Sequence, residues 1–297
     1  MNTSPSSIKR PTDRYAWVWL VIGAALLPFS SIQPSFPLAA WLAPVFLLRF
    51  VRTQRPRVGL SLVAVVQAVA FGSNWYIGSA PVTLFAISGV LVGLLYTLGY
   101  AADRLVAPRL HGIARTLVFP LALTTVDFVG SRLGSALTPF LLPSLFSVSG
   151  AWDSPGYTQA PYLPLLQVVS LTGMWGLTFL MAWFASAINA LWEHRFHWQP
   201  VRTGTLAFCT TLVAVLIFGS VRLAFFPPAQ PTVRVATIAY RQDLFPTITD
   251  INPQSLMPGT PTDRADARTR FAPIIAVTSL ALIRRRTAHL APVPQPA

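Results

Sequence analysis

The sequence predicts an all-α polytopic membrane protein of about seven transmembrane helices, followed by a short, incomplete α/β fragment. Three observations lead there. The 297 residues are 53% hydrophobic and only 10% charged, against about 25% charged in soluble domains. Such a chain cannot cover a water-facing surface, so most of it faces lipid. The hydrophobic residues gather into seven runs, and a bilayer core asks for about 20 apolar residues per helix. The arginines cluster between alternate runs, which is the pattern of the positive-inside rule.

The runs are residues 15–30, 36–50, 58–77, 81–102, 113–130, 163–192 and 203–226. The first two are short, and the tight "SSIQPSF" between them predicts a helical hairpin. No small-residue cleavage site follows the first run, so it is read as a retained span and not a removed signal. The third ends in Trp75 and Tyr76, a pair suited to an aromatic belt at the headgroup level. In the fourth, Gly89 and Gly93 form a GxxxG, which either permits close helix contact or arises by chance among small residues. The sixth is long enough to tilt or to start outside the lipid, and its Gly173 and Gly176 are read as helix-packing positions.

Charge placement orders these elements. Lys9, Arg10 and Arg14 precede the first run, and Arg49, Arg52, Arg55 and Arg57 separate the second from the third. Arg104, Arg109 and Arg115 flank the next junction but one, and Arg195 and Arg202 the next. The intervening "SIQPS" and "GSAP" carry no basic residue, and the loop after the fifth run carries Arg132. Residues 1–14 are therefore expected to be a cytoplasmic N-terminal tail, 15–226 the transmembrane domain, and 227–297 an external segment. In a bacterium that places the chain in the inner membrane with its C-terminal tail in the periplasm or exterior. The net charge of +13 does not indicate nucleic acid, because the arginines sit between apolar runs and form no patch on a soluble face.

Candidate site residues are few. Asp127 is the only acid well inside a run. A carboxylate there costs roughly 2.5–3.5 kcal/mol on insertion scales, which favours either a functional role or a hydrogen bond to a neighbouring helix. Arg132, about one turn on, is its expected partner. The loop 131–162 is aromatic and proline-rich, and Trp152, Tyr157 and Tyr162 suit the headgroup level. That loop is either an interfacial anchor or a lipid and substrate vestibule. Gln159 and Gln167 either bind a headgroup or satisfy backbone. The candidate lipid or substrate contacts are thus Trp75, Tyr76, Asp127, Arg132, Trp152, Tyr157 and Gln159. Cys209 is the single cysteine, so no intrachain disulfide or cysteine metal site forms, and it is expected to be a small buried hydrophobe. Glu193 is expected to cap a loop beside His194 and Arg195. His111, His194, His197 and His289 lack metal-ligand spacing, and no metal or cofactor is expected.

Three stretches carry a family resemblance: "FPLAAWLAPVFLLRF", "SPGYTQ", and above all "LQVVSLTGMWGLTFLMAWFASAINALWE". Together they resemble apolipoprotein N-acyltransferases, from about Pro37 to Ala239. The resemblance implies a membrane domain of eight spans with an outer domain of the nitrilase, or carbon–nitrogen hydrolase, fold between spans seven and eight. "VRVATIA" matches the first strand of such a domain. The implied reaction moves an acyl chain from a membrane phospholipid to the N-terminal amine of a diacylated lipoprotein through a cysteine thioester. A glutamate serves as base and a lysine stabilises the oxyanion.

The chain has one Glu, one Lys and one Cys. Lys9, Glu193 and Cys209 all fall outside the external segment, so no catalytic residue carries over. The chain is expected to be inactive alone, with 227–297 a truncated, partly disordered nitrilase-like fragment of one strand and one helix. Such a fragment cannot close a core. Alternatively, the apolar 271–283 is an eighth span, although 13 residues fall short of the about 17 to 25 a span needs. Two other readings remain: a lipid- or partner-binding membrane scaffold completed by a separate nitrilase-type chain, and an unrelated transporter. The latter usually shows repeats and several buried charges, and neither is seen in the sequence.

Overall fold

Nearly every backbone N–H and C=O in a lipid-embedded chain must be satisfied internally, which leaves the helix as the natural element. The computed structural model describes residues 15–30, 35–74, 82–141 and 154–226. Among these the chain is helical, with one isolated antiparallel bridge between Ser30 and Ser35. Residues 1–14, the whole tail 227–297 with its expected strand, helix and eighth span, and Trp75, Tyr76 and Trp152 lie outside the described residues.

Helix α1, Ala16–Leu26, tightens into a 3-10 turn, Leu27–Phe29, where Pro28 supplies no N–H to continue the ladder. Helix α2, Pro37–Thr53, opens on a proline whose fixed φ suits the first turn, and carries Pro44 inside. The two pack together as the expected hairpin. Then come α3, Pro56–Asn74; α4, Val82–Val106; and α5, Gly112–Leu141. Two single-turn helices follow, α6, Leu163–Leu166, and α7, Val169–Thr172. Last are α8, Met174–Glu193, and α9, Arg202–Phe225.

The sixth run, expected as one long span, is broken. Gly173 takes φ +66° between α7 and α8, a left-handed conformation that a Cβ would strain. Across this corner a Cβ on Gly176 would overlap the Thr172 side chain. Gly173 and Gly176 therefore sit at a corner and not between two long helices. Apolar continuity hid the break, because both sides of it are hydrophobic.

Among the described residues, five helical segments are long and apolar enough to cross a membrane: Pro56–Ser73, Ala86–Arg109, Gly112–Ala136, Met174–Glu193 and Arg202–Phe225. Ala16–Phe29 and Leu163–Thr172 are shorter apolar pieces, and α2 has 17 residues. Large apolar side chains such as Val69, Leu91, Leu94, Val213 and Ile217 point outward. Lipid, not water, is the solvent that suits this surface.

Inside, α3 packs along α4, α4 against α5, and α5 and α2 against α8. Leu47, Phe50, Tyr100 and Phe119 lie at the centre of the main core, with the Tyr100 and Phe119 rings 5.0 Å apart. Gly89 and Gly93 face α3. A Cβ on Gly89 would lie 2.6 Å from the Ala68 carbonyl oxygen, and one on Gly93 would lie 2.5 Å from the Ala68 nitrogen. Backbones this close leave no room for any other residue.

Candidate functional site

Among the described residues, two assemblies built on acids lie in this apolar bundle. The first is built on Asp127, midway along α5 and 2% exposed. Three hydroxyls donate to its carboxylate. Tyr96 Oη of α4 reaches Oδ1 at 2.6 Å, while Ser154 Oγ and Thr178 Oγ1 of α8 each reach Oδ2 at 2.9 Å. The last two also lie 3.1 Å from each other. Hydrogen bonds to a carboxylate are stronger than neutral ones, and burial removes water as a competitor. The assembly fastens Ser154, which precedes the 3-10 turn Pro155–Gln159, to α4, α5 and α8. Tyr96 is oriented for this by its ring contact with Phe71, 4.9 Å away.

Arg132 is not the partner of Asp127. Its guanidinium lies 5.3 Å from the Phe128 ring centre and 5.7 Å from that of Trp175. Five residues along a helix turn a side chain about 140° away, whereas residues four apart share a face. Phe128 is therefore the geometric neighbour of Arg132, and Trp175 completes the cation–π site with a T-shaped contact to Phe128 at 4.8 Å.

Gln159 ends the 3-10 turn Pro155–Gln159. Its amide faces protein throughout: Trp41 Nε1 donates to Oε1 at 3.1 Å, and Nε2 donates to the Pro37 carbonyl at 3.1 Å and to Thr158 Oγ1 at 2.7 Å. It clasps "SPGYTQ" to the start of α2. Tyr157 of this stretch stands exposed, as does Tyr162 three residues beyond it. Gln167 donates to the Leu163 carbonyl at 3.3 Å.

The second assembly escaped sequence reasoning. Arg52 donates through Nε and Nη2 to both carboxylate oxygens of Asp103, each at 2.8 Å, and its Nη1 lies 3.4 Å from Glu193. Glu193 in turn accepts from Arg115 at 2.5 Å. The ends of α2, α4, α5 and α8 are thereby joined. Arg104 adds bonds to the Val51 and Gln54 carbonyls, closing the last turn of α2, whose carbonyls lack helical partners. Helix α4 runs to Val106, past the end of the fourth run, so Asp103 is a second acid buried within a helix. Glu193 is thus a network member and not a simple loop cap. An acid beside Arg104 in "AADRLV" was the available signal.

Asn189 is another buried residue without sequence warning, donating to the Val45 and Ala185 carbonyls at 2.9 Å each. Cys209, expected to be buried, is exposed on α9. His289 lies outside the described residues, and among the described residues no cluster of histidine, cysteine and acids is suited to a metal. A cavity beside the Asp127 assembly is lined by Gln67, Tyr96, Tyr100, Leu123 and Pro155 and holds about 40 Å³. That is room for a water or two, and too little for an acyl chain.

The comparisons with known proteins agree on one relationship. The family model described as apolipoprotein N-acyltransferase N-terminal domain matches residues 23–187, more than half of the chain. The chain is 32% identical over 151 residues to an apolipoprotein N-acyltransferase of Bradyrhizobium diazoefficiens, covering 49% of this chain and 25% of that protein. It is 29% identical over 180 residues to one of Geobacter metallireducens, covering 57% of this chain and 32% of that protein. The matches thus cover between a quarter and about a third of these relatives' own length.

Proposed function

The chain belongs to the apolipoprotein N-acyltransferase N-terminal domain family, and from that premise we propose that it is the membrane part of a phospholipid-dependent lipoprotein N-acylation system. The observation that carries the reading is the built state of "SPGYTQ". Ser154 is bonded to Asp127 and Gln159 to Trp41 and Pro37, so this stretch is a fixed rim beside the start of α2, the opposite end of that helix from Arg52. Such a rim suits the docking of an outer domain. Tyr157 on it and Tyr162 just beyond it stand exposed as headgroup-level contacts, with Trp75, Tyr76 and Trp152 as further candidates for that role.

In this reading the chain crosses a bacterial inner membrane seven times, with α1 and α2 as the two short crossings. The arginine-rich end faces the cytoplasm. Exposed Arg55, Arg57, Arg109, Arg195 and Arg202 at the ends of α2 to α5, α8 and α9 support that orientation. Lys9, Glu193 and Cys209 take no catalytic role, because a base, an oxyanion donor and a thiol must meet within hydrogen-bond reach. Glu193 is committed to two arginines, and Cys209 lies on the outward face of α9. In this reading the base, the oxyanion donor and the thiol come from a nitrilase-type domain docked on the rim.

The test uses the purified chain with phosphatidylethanolamine and a diacylated lipopeptide, followed by mass spectrometry of the peptide. No N-acylated product is expected from the chain alone, and product is expected once a nitrilase-type domain from a relative is added. Product from the chain alone overturns the division of labour. Failure of the added domain to bind the chain overturns the scaffold reading.

A further inference from the structure

The outward face of α9 carries a feature that the acyl-transfer reading does not use. A groove of about 350 Å³ lies between α9 and the α6–α7 segment, lined by Val168 and Leu171 on one wall and Thr211, Ala214, Val215 and Phe218 on the other. Its walls are held together by a close backbone approach: Gly219 is buried, and a Cβ there would overlap the Pro164 carbonyl. The groove is therefore part of the packed fold.

Its chemistry is asymmetric. Thr211, Val215, Phe218 and Arg222 recur at intervals of four, three and four, which places them on one stripe of α9. The apolar groove thus ends, one turn beyond Phe218, in a guanidinium. Arg222 Nη1 donates to Ser170 Oγ on α7, and among the described residues no ion pair involves it. Arginine offers five N–H donors in a planar fork that matches phosphate. From Arg222 back to Thr211 the helix rises roughly 16 Å, a depth that suits an acyl chain hanging from a headgroup at the level of Arg222.

We propose that this groove is a binding site for one glycerophospholipid of the leaflet opposite the arginine-rich end, with its phosphate on Arg222 and Ser170 and one acyl chain laid along Phe218, Val215 and Leu171. The site needs no nitrilase-type chain, so it stands or falls independently of the acyl-transfer reading. The charge of the guanidinium selects the occupant: a neutral diacylglycerol would fill the groove equally well but leave Arg222 unmatched.

The test uses the full chain in phosphatidylcholine vesicles doped with phosphatidylglycerol bearing a photoreactive diazirine in its acyl tail. Irradiation and peptide mapping read the site. Cross-links are expected on the α7 and α9 peptides, lowered about tenfold by Arg222→Gln, as the loss of a charge-assisted bond implies. Arg222→Lys should retain them, and Ala214→Trp, which fills the groove, should abolish them. Circular dichroism and gel filtration confirm that each variant is folded. A diacylglycerol with the same photoreactive tail should label at least about tenfold less. Equal labelling of wild type and a folded Arg222→Gln overturns the proposal, and so does equal labelling by the diacylglycerol. Loss in Ala214→Trp alone marks the groove as a non-selective apolar seam and also overturns it.

Discussion

Arg52 and Asp103 meet as a two-point pair, with both contacts at 2.8 Å and both side chains nearly fully buried. Removing one partner strands a charge where water cannot reach it. Asp103→Asn or Asp103→Ala should destabilise the chain by about 3–5 kcal/mol, while replacing both residues by apolar ones of similar volume should be near neutral. Arg115, at the half-buried rim of the same network, should cost about 1 kcal/mol on mutation to Ala. Denaturant unfolding in mild detergent separates the three outcomes.

Asp127 should distinguish hydrogen bonding from shape. Asp127→Asn keeps a carbonyl acceptor for Tyr96 and places an amide NH2 that donates to the Ser154 and Thr178 hydroxyl oxygens, which accept, and should leave the fold intact. Asp127→Leu removes the carboxylate acceptor of all three hydroxyls and should cost about 1–3 kcal/mol for each of these bonds that is not remade, with Ser154 and Thr178 still 3.1 Å from each other. Limited proteolysis near Ser154 should speed up in the leucine variant and not in the asparagine one.

The α3–α4 seam tolerates no side chain at Gly93. Gly93→Leu should destabilise by at least about 1–3 kcal/mol through overpacking. Gly134→Leu is the control, since a Cβ there meets nothing within 4 Å, and it should be close to silent. Thermal unfolding followed by circular dichroism reads the difference.

Gly173→Ala places a Cβ at φ +66° and should cost about 1–2 kcal/mol. The loss should be local. Hydrogen exchange of α7 and the first turn of α8 should accelerate, while α3 and α4 remain protected.

The helices were legible in the sequence because the bilayer imposes a length and an apolar composition that no tertiary contact is needed to reveal. Gly89 and Gly93 were legible for a similar reason, since a small-residue spacing on one helix face is a local pattern. Pairings were not. Arg52 finds Asp103 across 51 residues and Glu193 across 141, and the positive-inside rule counts basic residues without asking which acids they face. Local reasoning also failed over Arg132, where proximity in sequence stood in for helical phase. The corner at Gly173 lay inside an unbroken apolar stretch, where hydropathy carries no information about φ. Asp127 stood out in the sequence as a carboxylate inside an apolar run, but its three hydroxyl partners come from Tyr96, Ser154 and Thr178, which no spacing connects.

The long reach of the Arg52 network also bears on how the protein is made. Helix α2 enters the membrane with Arg52 unmatched, and α5 brings in Arg115 before any acid is available to it, since Glu193 lies 78 residues further on. Arg52 meets Asp103 once α4 has followed, but until α8 has left the ribosome Arg115 lacks its carboxylate. Arrival of Glu193 closes the network and ties α5 and α8 to the α2–α4 pair. The same contacts that lock the finished fold therefore time its biogenesis: an insertion intermediate that stalls before α8 is marked by its own uncompensated charge.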